Sequence, residues 1–139
     1  MADPADLRDV PLFEGLDDAE RTELAPWFEA RTIGAGTRLC GEGTVGYSFF
    51  VLVDGAADVL TGNERVRQLG PGDFFGEVAI LGDGRRSATV TTTAPSKVLT
   101  MFGTDFRRLQ SAQPAIADSI VETMKTRLAA DGSAQREPA

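Results

Sequence analysis

The stretch FGEVAILGDGRRSATV, residues 75–90, decides how this chain is interpreted. It opens with a phenylalanine, a glycine and a glutamate, continues through a short apolar run, and places two adjacent arginines after a glycine-rich link. The apolar run suits one or two helical turns, and the first N–H groups of a helix are unpaired donors that bind anions. The stretch therefore predicts a short helix whose N-terminus forms an anion site.

The arginines and the glutamate extend this prediction from an anion to a nucleotide. Gly82 and Gly84 let the chain reverse, so an arginine can return over the helix start and complete a phosphate site. Glu77 is acceptor-only when ionised, which suits a sugar hydroxyl rather than a phosphate. The alternative is an ordinary surface salt bridge between Glu77 and Arg85 or Arg86, worth about 0–1 kcal/mol. The residues by themselves leave these two interpretations equally open.

Length and composition bound the architecture. With 139 residues, 42% hydrophobic and 25% charged, the chain is expected to be globular and to form one domain over 1–130, with a disordered polar tail over 131–139. Fifteen glycines and seven prolines favour many short strands and turns over a helix bundle.

Several function classes are excluded by the same totals. The chain has no histidine, so we expect no His-based catalytic pair, no His-ligated metal, no cofactor and no enzyme activity. A net charge of −7 without a basic stripe argues against nucleic acid as a partner. No apolar run approaches ~18 residues, so membrane insertion is not expected. The single Cys40 and an acidic N-terminus that does not look like a signal peptide favour the cytoplasm.

The pattern of elements runs from helix through strands to helix. Asp17 and Glu20 form a predicted capping box in a helical lead-in that extends to about Phe28. Residues 30–102 read as short strands, with hairpins expected at Asp54-Gly55 and Gly62-Asn63, which suggests a sandwich or a rolled-up barrel. A last helix begins near Pro114 and places an apolar stripe at i, i+4 spacing: Ile116, Ile120, Met124 and Leu128.

Residues 75–90 resemble the phosphate-binding cassette of the cyclic nucleotide-binding domain family. The family pattern is Phe-Gly-Glu, a small apolar helix, a short loop, and Arg-Ser/Thr/Ala-Ala-Thr before a strand. The flanking stretches VPLFEGL and LGPGDFFGE also look like the family, and the resemblance covers roughly residues 7–128. The matching positions are Phe75, Gly76, Glu77, Ala79, Leu81, Arg86, Ser87, Ala88 and Thr89.

This resemblance implies a fold and a ligand. The fold is α+β and mainly β: a helix-flanked β-roll of double-stranded β-helix or jelly-roll type, with a short phosphate-binding helix and C-terminal helices. The ligand is a cyclic nucleotide, cAMP before cGMP, with Arg86 on the cyclic phosphate and Glu77 on the ribose 2′-hydroxyl. The implied ligand-binding set is Gly76, Glu77, Val78, Ala79, Arg86, Ser87 and Ala88. The last helix is expected to close over the base as a lid through Met124, Arg127 or Leu128.

The resulting hypothesis is a sensor or regulatory module that acts on an unknown protein effector in trans. One alternative is a degenerate member of the family that serves as a protein-interaction scaffold. A small β-barrel enzyme of cupin type is disfavoured because the chain lacks histidine.

Overall fold

A computed structural model of the chain describes residues 2–40, 48–76, 80 and 88–130, with the backbone alone for residues 40 and 128–130. Four α-helices and eight strands lie in this part: α1 (Pro4–Arg8), α2 (Asp18–Leu24), β1 (Glu29–Ile33), β2 (Arg38–Cys40), β3 (Ser48–Asp54), β4 (Ala57–Thr61), β5 (Glu64–Leu69), β6 (Phe74–Phe75), β7 (Thr89–Thr92), β8 (Ser96–Phe102), α3 (Gly103–Ala112) and α4 (Pro114–Ala130). Short 3₁₀ helices over Pro11–Phe13 and Ala25–Trp27 complete the lead-in before β1.

The lead-in begins and ends where its residues predict. The Asp17 carboxylate accepts the Glu20 N–H at 2.8 Å, and the Glu20 carboxylate accepts the Asp17 N–H at 3.0 Å, so the predicted capping box is confirmed. Helix α2 ends at Leu24, and Pro26 lies in the tighter 3₁₀ turn that follows, because proline cannot donate the next helical hydrogen bond.

Two antiparallel four-stranded sheets form the β-rich middle of the chain. Sheet A has the order β1-β8-β3-β6, and sheet B has the order β2-β7-β4-β5. With helices before and after them, the sheets confirm the predicted helix-flanked, mainly β fold.

One of the two predicted hairpins is wrong. The Gly62-Asn63 hairpin is confirmed, since β4 and β5 pair directly around it. Strand β3, however, pairs with β8 and β6 in sheet A, whereas β4 belongs to sheet B, so Asp54-Gly55 carries the chain between sheets. Gly55 has a φ of 106°, and a Cβ there would lie 2.7 Å from the Ser96 Cα. The turn residues specify a reversal, but they do not specify which strand pairs with which.

Two apolar clusters lie on the two faces of sheet A. The first, the helical cluster, joins the lead-in, α3, α4 and the outer face of the sheet: Ala2, Leu7, Val10, Leu12, Phe13, Leu16, Leu24, Ala25, Phe28, Phe49, Val51, Leu99, Met101, Phe106, Leu109, Ile116, Ala117, Ile120 and Met124. The second, the roll cluster, fills the space between the sheets: Ile33, Phe50, Leu52, Ala57, Val59, Leu69, Phe75, Ala88, Val90 and Val98.

Helix α4 contributes its predicted stripe to the helical cluster. Ile116, Ile120 and Met124 are all buried there, which confirms the i, i+4 spacing, whereas the Leu128 side chain lies outside the described part of the chain. None of the described helices is long and apolar enough to cross a membrane.

Candidate functional site

The predicted cassette starts at the end of β6, inside the roll. Phe75 pairs with Phe50 across the sheet, and their rings stack with centroids 4.9 Å apart and an interplanar angle of 13°. The next residue, Gly76, is buried and has a φ of 76°, in the left-handed region that favours glycine. A rigid aromatic pair therefore sets the position at which the chain makes a glycine-dependent turn.

The cassette ends on the same apolar cluster but in the other sheet. Ala88 is fully buried in the roll cluster, and β7 begins immediately after it with Thr89 and the fully buried Val90. Since β6 belongs to sheet A and β7 to sheet B, the residues between Gly76 and Ala88 connect the two sheets. Both ends of the predicted site are thus fixed by the interior of the roll.

Most of the predicted ligand-binding residues fall between these two fixed ends. Gly76 and Ala88 are described, and both belong to the buried interior. The structure also gives Ile80 a helical conformation, within the stretch predicted as a short helix. The remaining five lie outside the described residues: Glu77, Val78, Ala79, Arg86 and Ser87.

The start of the cassette touches both clusters. Phe74 packs against the helical cluster, with its ring centroid 5.9 Å from that of Phe49, whereas its neighbour Phe75 packs in the roll cluster. Ile80, four residues beyond Gly76, also packs against the helical cluster. A displacement of this segment would therefore be felt on both faces of sheet A.

The turn before β6 is held from three directions. The Asp73 carboxylate accepts the Gly70 N–H at 2.8 Å, and Leu52 exchanges backbone hydrogen bonds with Gly72 and Asp73 at 2.7 and 2.8 Å. Gly72 has a φ of 94°, and a Cβ there would lie 3.0 Å from the Cδ of Pro11 in the lead-in. The approach to the cassette is consequently rigid and touches the lead-in directly.

The candidate lid residues lie on the helix side of the molecule. Met124 is completely buried in the helical cluster, and an Arg127 Nη lies 3.4 Å from the Glu14 carboxylate of the lead-in. Neither position is part of the roll cluster. Nothing is described of the Leu128 side chain.

A separate groove of about 640 Å³ lies where β8 runs into α3. Its walls include Trp27, Phe50, Thr100, Phe102 and Arg108. Of the two predicted ligand-binding residues that the structure describes, neither Gly76 nor Ala88 lines the groove. Phe50, whose ring stacks on Phe75 at the start of the cassette, is also one of the residues that line this groove.

Comparison with known proteins assigns the family. The sequence profile of the cyclic nucleotide-binding domain matches residues 30–113, which is more than half of the chain. The chain belongs to the cyclic nucleotide-binding domain family. The matched range contains both sheets apart from Glu29, the first residue of β1, together with the cassette and α3.

Relatives with curated names include channels and kinase subunits. A cyclic nucleotide-gated potassium channel of Rhizobium etli is 38% identical over 114 residues, covering 82% of this chain and 32% of the channel. A cAMP-dependent protein kinase regulatory subunit of Eremothecium gossypii is 41% identical over 104 residues, covering 74% of this chain and 23% of that subunit. The chain thus spans about a third or less of the relatives' length.

Solved structures agree on the fold. The N-terminal domain of a transcriptional regulator from Streptomyces coelicolor A3(2) superposes with a TM-score of 0.76 at 27% identity, covering 93% of this chain and 96% of that one. The cAMP-bound PfPKA-R superposes with a TM-score of 0.70 at 26% identity, covering 88% of this chain and 44% of that one. The β-roll of this cyclic nucleotide-binding domain is therefore the family's fold.

Two contributors to the site were not identified from the sequence. Phe50, which stacks on Phe75, lies in the run SFFVLV, where apolar residues on both faces hide the alternation that would distinguish a roll-facing ring from a helix-facing one. Ile80 lies in an equally uniform apolar run, so its contact with the helical cluster carries no separate signal.

Proposed function

We propose that this domain binds cAMP in the roll, at the cassette, and acts as a regulatory module without catalysing a reaction on the nucleotide. The observation that carries the proposal is the pair of fixed ends: a left-handed, buried Gly76 behind the stacked Phe75, and a fully buried Ala88 in front of β7. These ends fix the points at which a segment with the family's sequence leaves and re-enters the roll interior.

Within that segment we assign the charged contacts from the sequence. Arg86 pairs with the cyclic phosphate, and Glu77 accepts a hydrogen bond from the ribose 2′-hydroxyl. The backbone at Gly76, Val78 and Ala79 donates to the ligand, because unpaired N–H groups at a helix start bind anions. Ser87 and Ala88 flank the phosphate.

The contacts at β6 support a route by which binding reaches the helices. Phe74 and Ile80 bracket the start of the cassette, and both pack on the helical cluster that contains Ile116, Ile120 and Met124 of α4. A cassette drawn toward an anion would pull on these contacts and alter how α4 packs. A ligand can bias a helix in this way only if it favours one of two arrangements.

The relatives support a regulatory role and leave the regulated protein open. Channels and kinase regulatory subunits both carry this domain beside other segments. We propose that residues 1–130 form the binding domain, that it acts in the cytoplasm, and that it signals to a protein effector in trans.

Calorimetric titration with cAMP and cGMP tests the proposal, and 2′-deoxy-cAMP tests the role of Glu77. Wild type should bind cAMP and should discriminate against the deoxy ligand, because the Glu77 carboxylate is left without its partner when the 2′-hydroxyl is missing. Glu77→Gln should bind cAMP more weakly and lose most of that discrimination.

Equal ratios of the two affinities in wild type and Glu77→Gln would remove Glu77 from the ribose. Failure of the wild type to bind either cyclic nucleotide would overturn the proposal and favour an interaction scaffold.

A further inference from the structure

The groove of about 640 Å³ beside α3 exposes aromatic surface. Phe102, on its wall, is 58% exposed, the highest value for a large apolar residue in the described part of the chain. Trp27 is half-buried in the 3₁₀ turn before β1 and lines the same groove, next to the exposed Pro26. Aromatic residues and arginine are enriched at the centres of protein interfaces. The groove therefore has the composition of a docking surface.

The charges around the groove are unequally matched. Of the charged residues that line it, Asp105 and Arg108 pair with each other at 3.1 Å, and Glu29 has a partner as well. Arg31, the second charged residue of β1, is exposed, and its side chain makes no hydrogen bond or ion pair among the described residues. An arginine binds a carboxylate through two parallel N–H donors. The groove therefore favours an acidic group beside Arg31.

The groove also lies beside an open edge of sheet A. Strand β1 is the first strand of this sheet and pairs only with β8 within the described residues. On the side away from β8, the Phe28 C=O accepts the Ala2 N–H at 3.0 Å, directly before β1 begins. Because backbone groups alternate in direction along a strand, the N–H and C=O of Ala30 and Thr32 face this same side. Such an edge can pair with an extended segment of another chain.

We propose that this groove and the open edge of β1 form a docking site for an extended, acidic segment of a partner protein. An aspartate or glutamate of that segment pairs with Arg31, and a neighbouring apolar side chain packs against Trp27 and Phe102. A second copy of this chain is a poorer occupant, because pairing of two β1 edges would bring Arg31 of both copies to one contact. The inference goes beyond the proposed function, and its test needs no nucleotide.

Selection of a display library of random peptides on the immobilised wild-type domain tests the chemistry of the site. The enriched peptides should carry an acidic residue close to an aromatic or branched aliphatic one. On Arg31→Glu this acidic preference should disappear, because the unmatched charge has changed sign. The matched control is Arg38→Glu, which reverses another exposed arginine, on β2 of sheet B and outside the groove, and should enrich the same peptides as wild type.

Trp27 reports occupancy of the groove directly, because it is the only tryptophan of the chain. A synthetic peptide that was enriched on wild type and lacks tryptophan should change the Trp27 emission during titration. Its affinity should fall about three- to tenfold in Arg31→Glu, through loss of the ion pair and the new like charge. Phe102→Ser should weaken binding by at least about thirtyfold, as expected for the loss of an aromatic anchor.

Several outcomes would overturn the docking site. A selection without enriched peptides, or the same enrichment on wild type and Arg31→Glu, would contradict the role of Arg31. Peptide binding that leaves the Trp27 emission unchanged and is equally strong in a folded Phe102→Ser variant would place the peptide elsewhere. A wild-type dimer in analytical ultracentrifugation that Arg31→Glu dissociates would make a second copy the occupant, against the proposal.

Failure of the docking site and failure of the proposed function are distinguishable. A domain that binds cAMP in calorimetry but enriches no peptide lacks the docking site alone. A domain that enriches acidic peptides but binds no cyclic nucleotide lacks the proposed nucleotide site and retains the docking site. Arg31→Glu should bind cAMP as wild type does, because Arg31 is not among the residues assigned to the nucleotide.

Discussion

The two faces of sheet A are formed by the same strands, but each face packs in a different apolar cluster. On β3, Phe49 and Val51 point into the helical cluster, while Phe50 and Leu52 point into the roll cluster. The helical face is closed by the lead-in, α3 and α4. The roll face is closed by sheet B, and the chain leaves and re-enters this interior at Gly76 and Ala88.

The difference explains why we propose a binding site on the roll face. The helices that cover the outer face contribute mainly apolar side chains to it, and the described charged groups on that face, such as Asp6 and Lys97, pair with each other. The roll face instead ends at Gly76 and Ala88, between which the sequence places a glutamate and two arginines. Strand β6 contacts both faces, because Phe74 packs against the helical cluster and Phe75 packs in the roll cluster.

Gly55→Ala should break the junction between the sheets and have the largest effect on stability. Its φ of 106° disfavours a side chain, and the new Cβ would lie 2.7 Å from the Ser96 Cα in a central strand of sheet A. Strain and overpacking together should lower the free energy of unfolding by about 2–6 kcal/mol. Urea denaturation monitored by circular dichroism measures this loss.

Gly62→Ala is the matched control for Gly55→Ala. Gly62 also has a positive φ, of 64°, but no atom outside its neighbours lies within 4 Å of its added Cβ. The expected loss is only the conformational cost of roughly 1–2 kcal/mol. Equal losses at the two glycines would show that the crowding at Ser96 does not matter.

Replacing the two phenylalanines of β6 one at a time distinguishes the contributions of the two faces of sheet A to cAMP binding. Phe75→Leu removes a stacked ring pair worth ~0.5–1.5 kcal/mol and loosens the position of Gly76, so we expect cAMP affinity to fall up to about tenfold. Phe74→Leu should cost a similar amount of stability but less affinity, because its ring faces the helices. Titration and thermal unfolding of both variants decide this, and equal affinity losses would argue against a site on the roll face alone.

The smallest effect is expected on the helical face, at the ion pair between Asp6 and Lys97. Burial alone would raise the pKa of Asp6, but the hydrogen bond from Lys97, the backbone N–H of Asp3 and the Lys97 charge outweigh it, so the pKa lies below its ordinary value. The hydrogen bond to Asp6 raises the pKa of Lys97.

The sign of the pH dependence follows from these directions. A lowered carboxyl pKa contributes stability above about pH 4, and this contribution is lost as the pH falls through the folded-state value. Asp6→Asn should therefore lower the free energy of unfolding by less than ~1 kcal/mol at pH 7, and the difference from wild type should shrink below pH 4. A difference that grows in acid would contradict the assignment.

Local signals in the sequence were sufficient for the helix ends and for one hairpin. The capping box at Asp17 and Glu20, the stripe through Ile116 and Ile120, and the Gly62-Asn63 turn depend on residues close together in the chain. Each of these features could therefore be predicted from the spacing of residue types along the sequence.

Strand pairing could not be predicted in the same way. The alignment of β3 between β8 and β6 joins residues far apart in sequence, such as Phe50 with Phe75 and with Thr100. A turn at Asp54-Gly55 is compatible with a hairpin or with a crossing between sheets, and only the packing of both sheets selects the crossing. The candidate site was recognisable because its residues are contiguous, whereas Phe50 and the contact between Gly72 and Pro11 required the fold.

The most direct test of the account is calorimetric titration of cAMP into wild type, Arg86→Ala and Arg85→Ala. If the cassette holds the cyclic phosphate through Arg86, its loss should weaken binding by roughly 2–5 kcal/mol, or between about thirtyfold and several thousandfold. Arg85→Ala, which removes the same charge one residue earlier, should change affinity by less than about fivefold. Unchanged affinity in a folded Arg86→Ala variant, with circular dichroism like that of wild type, would contradict a cyclic nucleotide site in the roll.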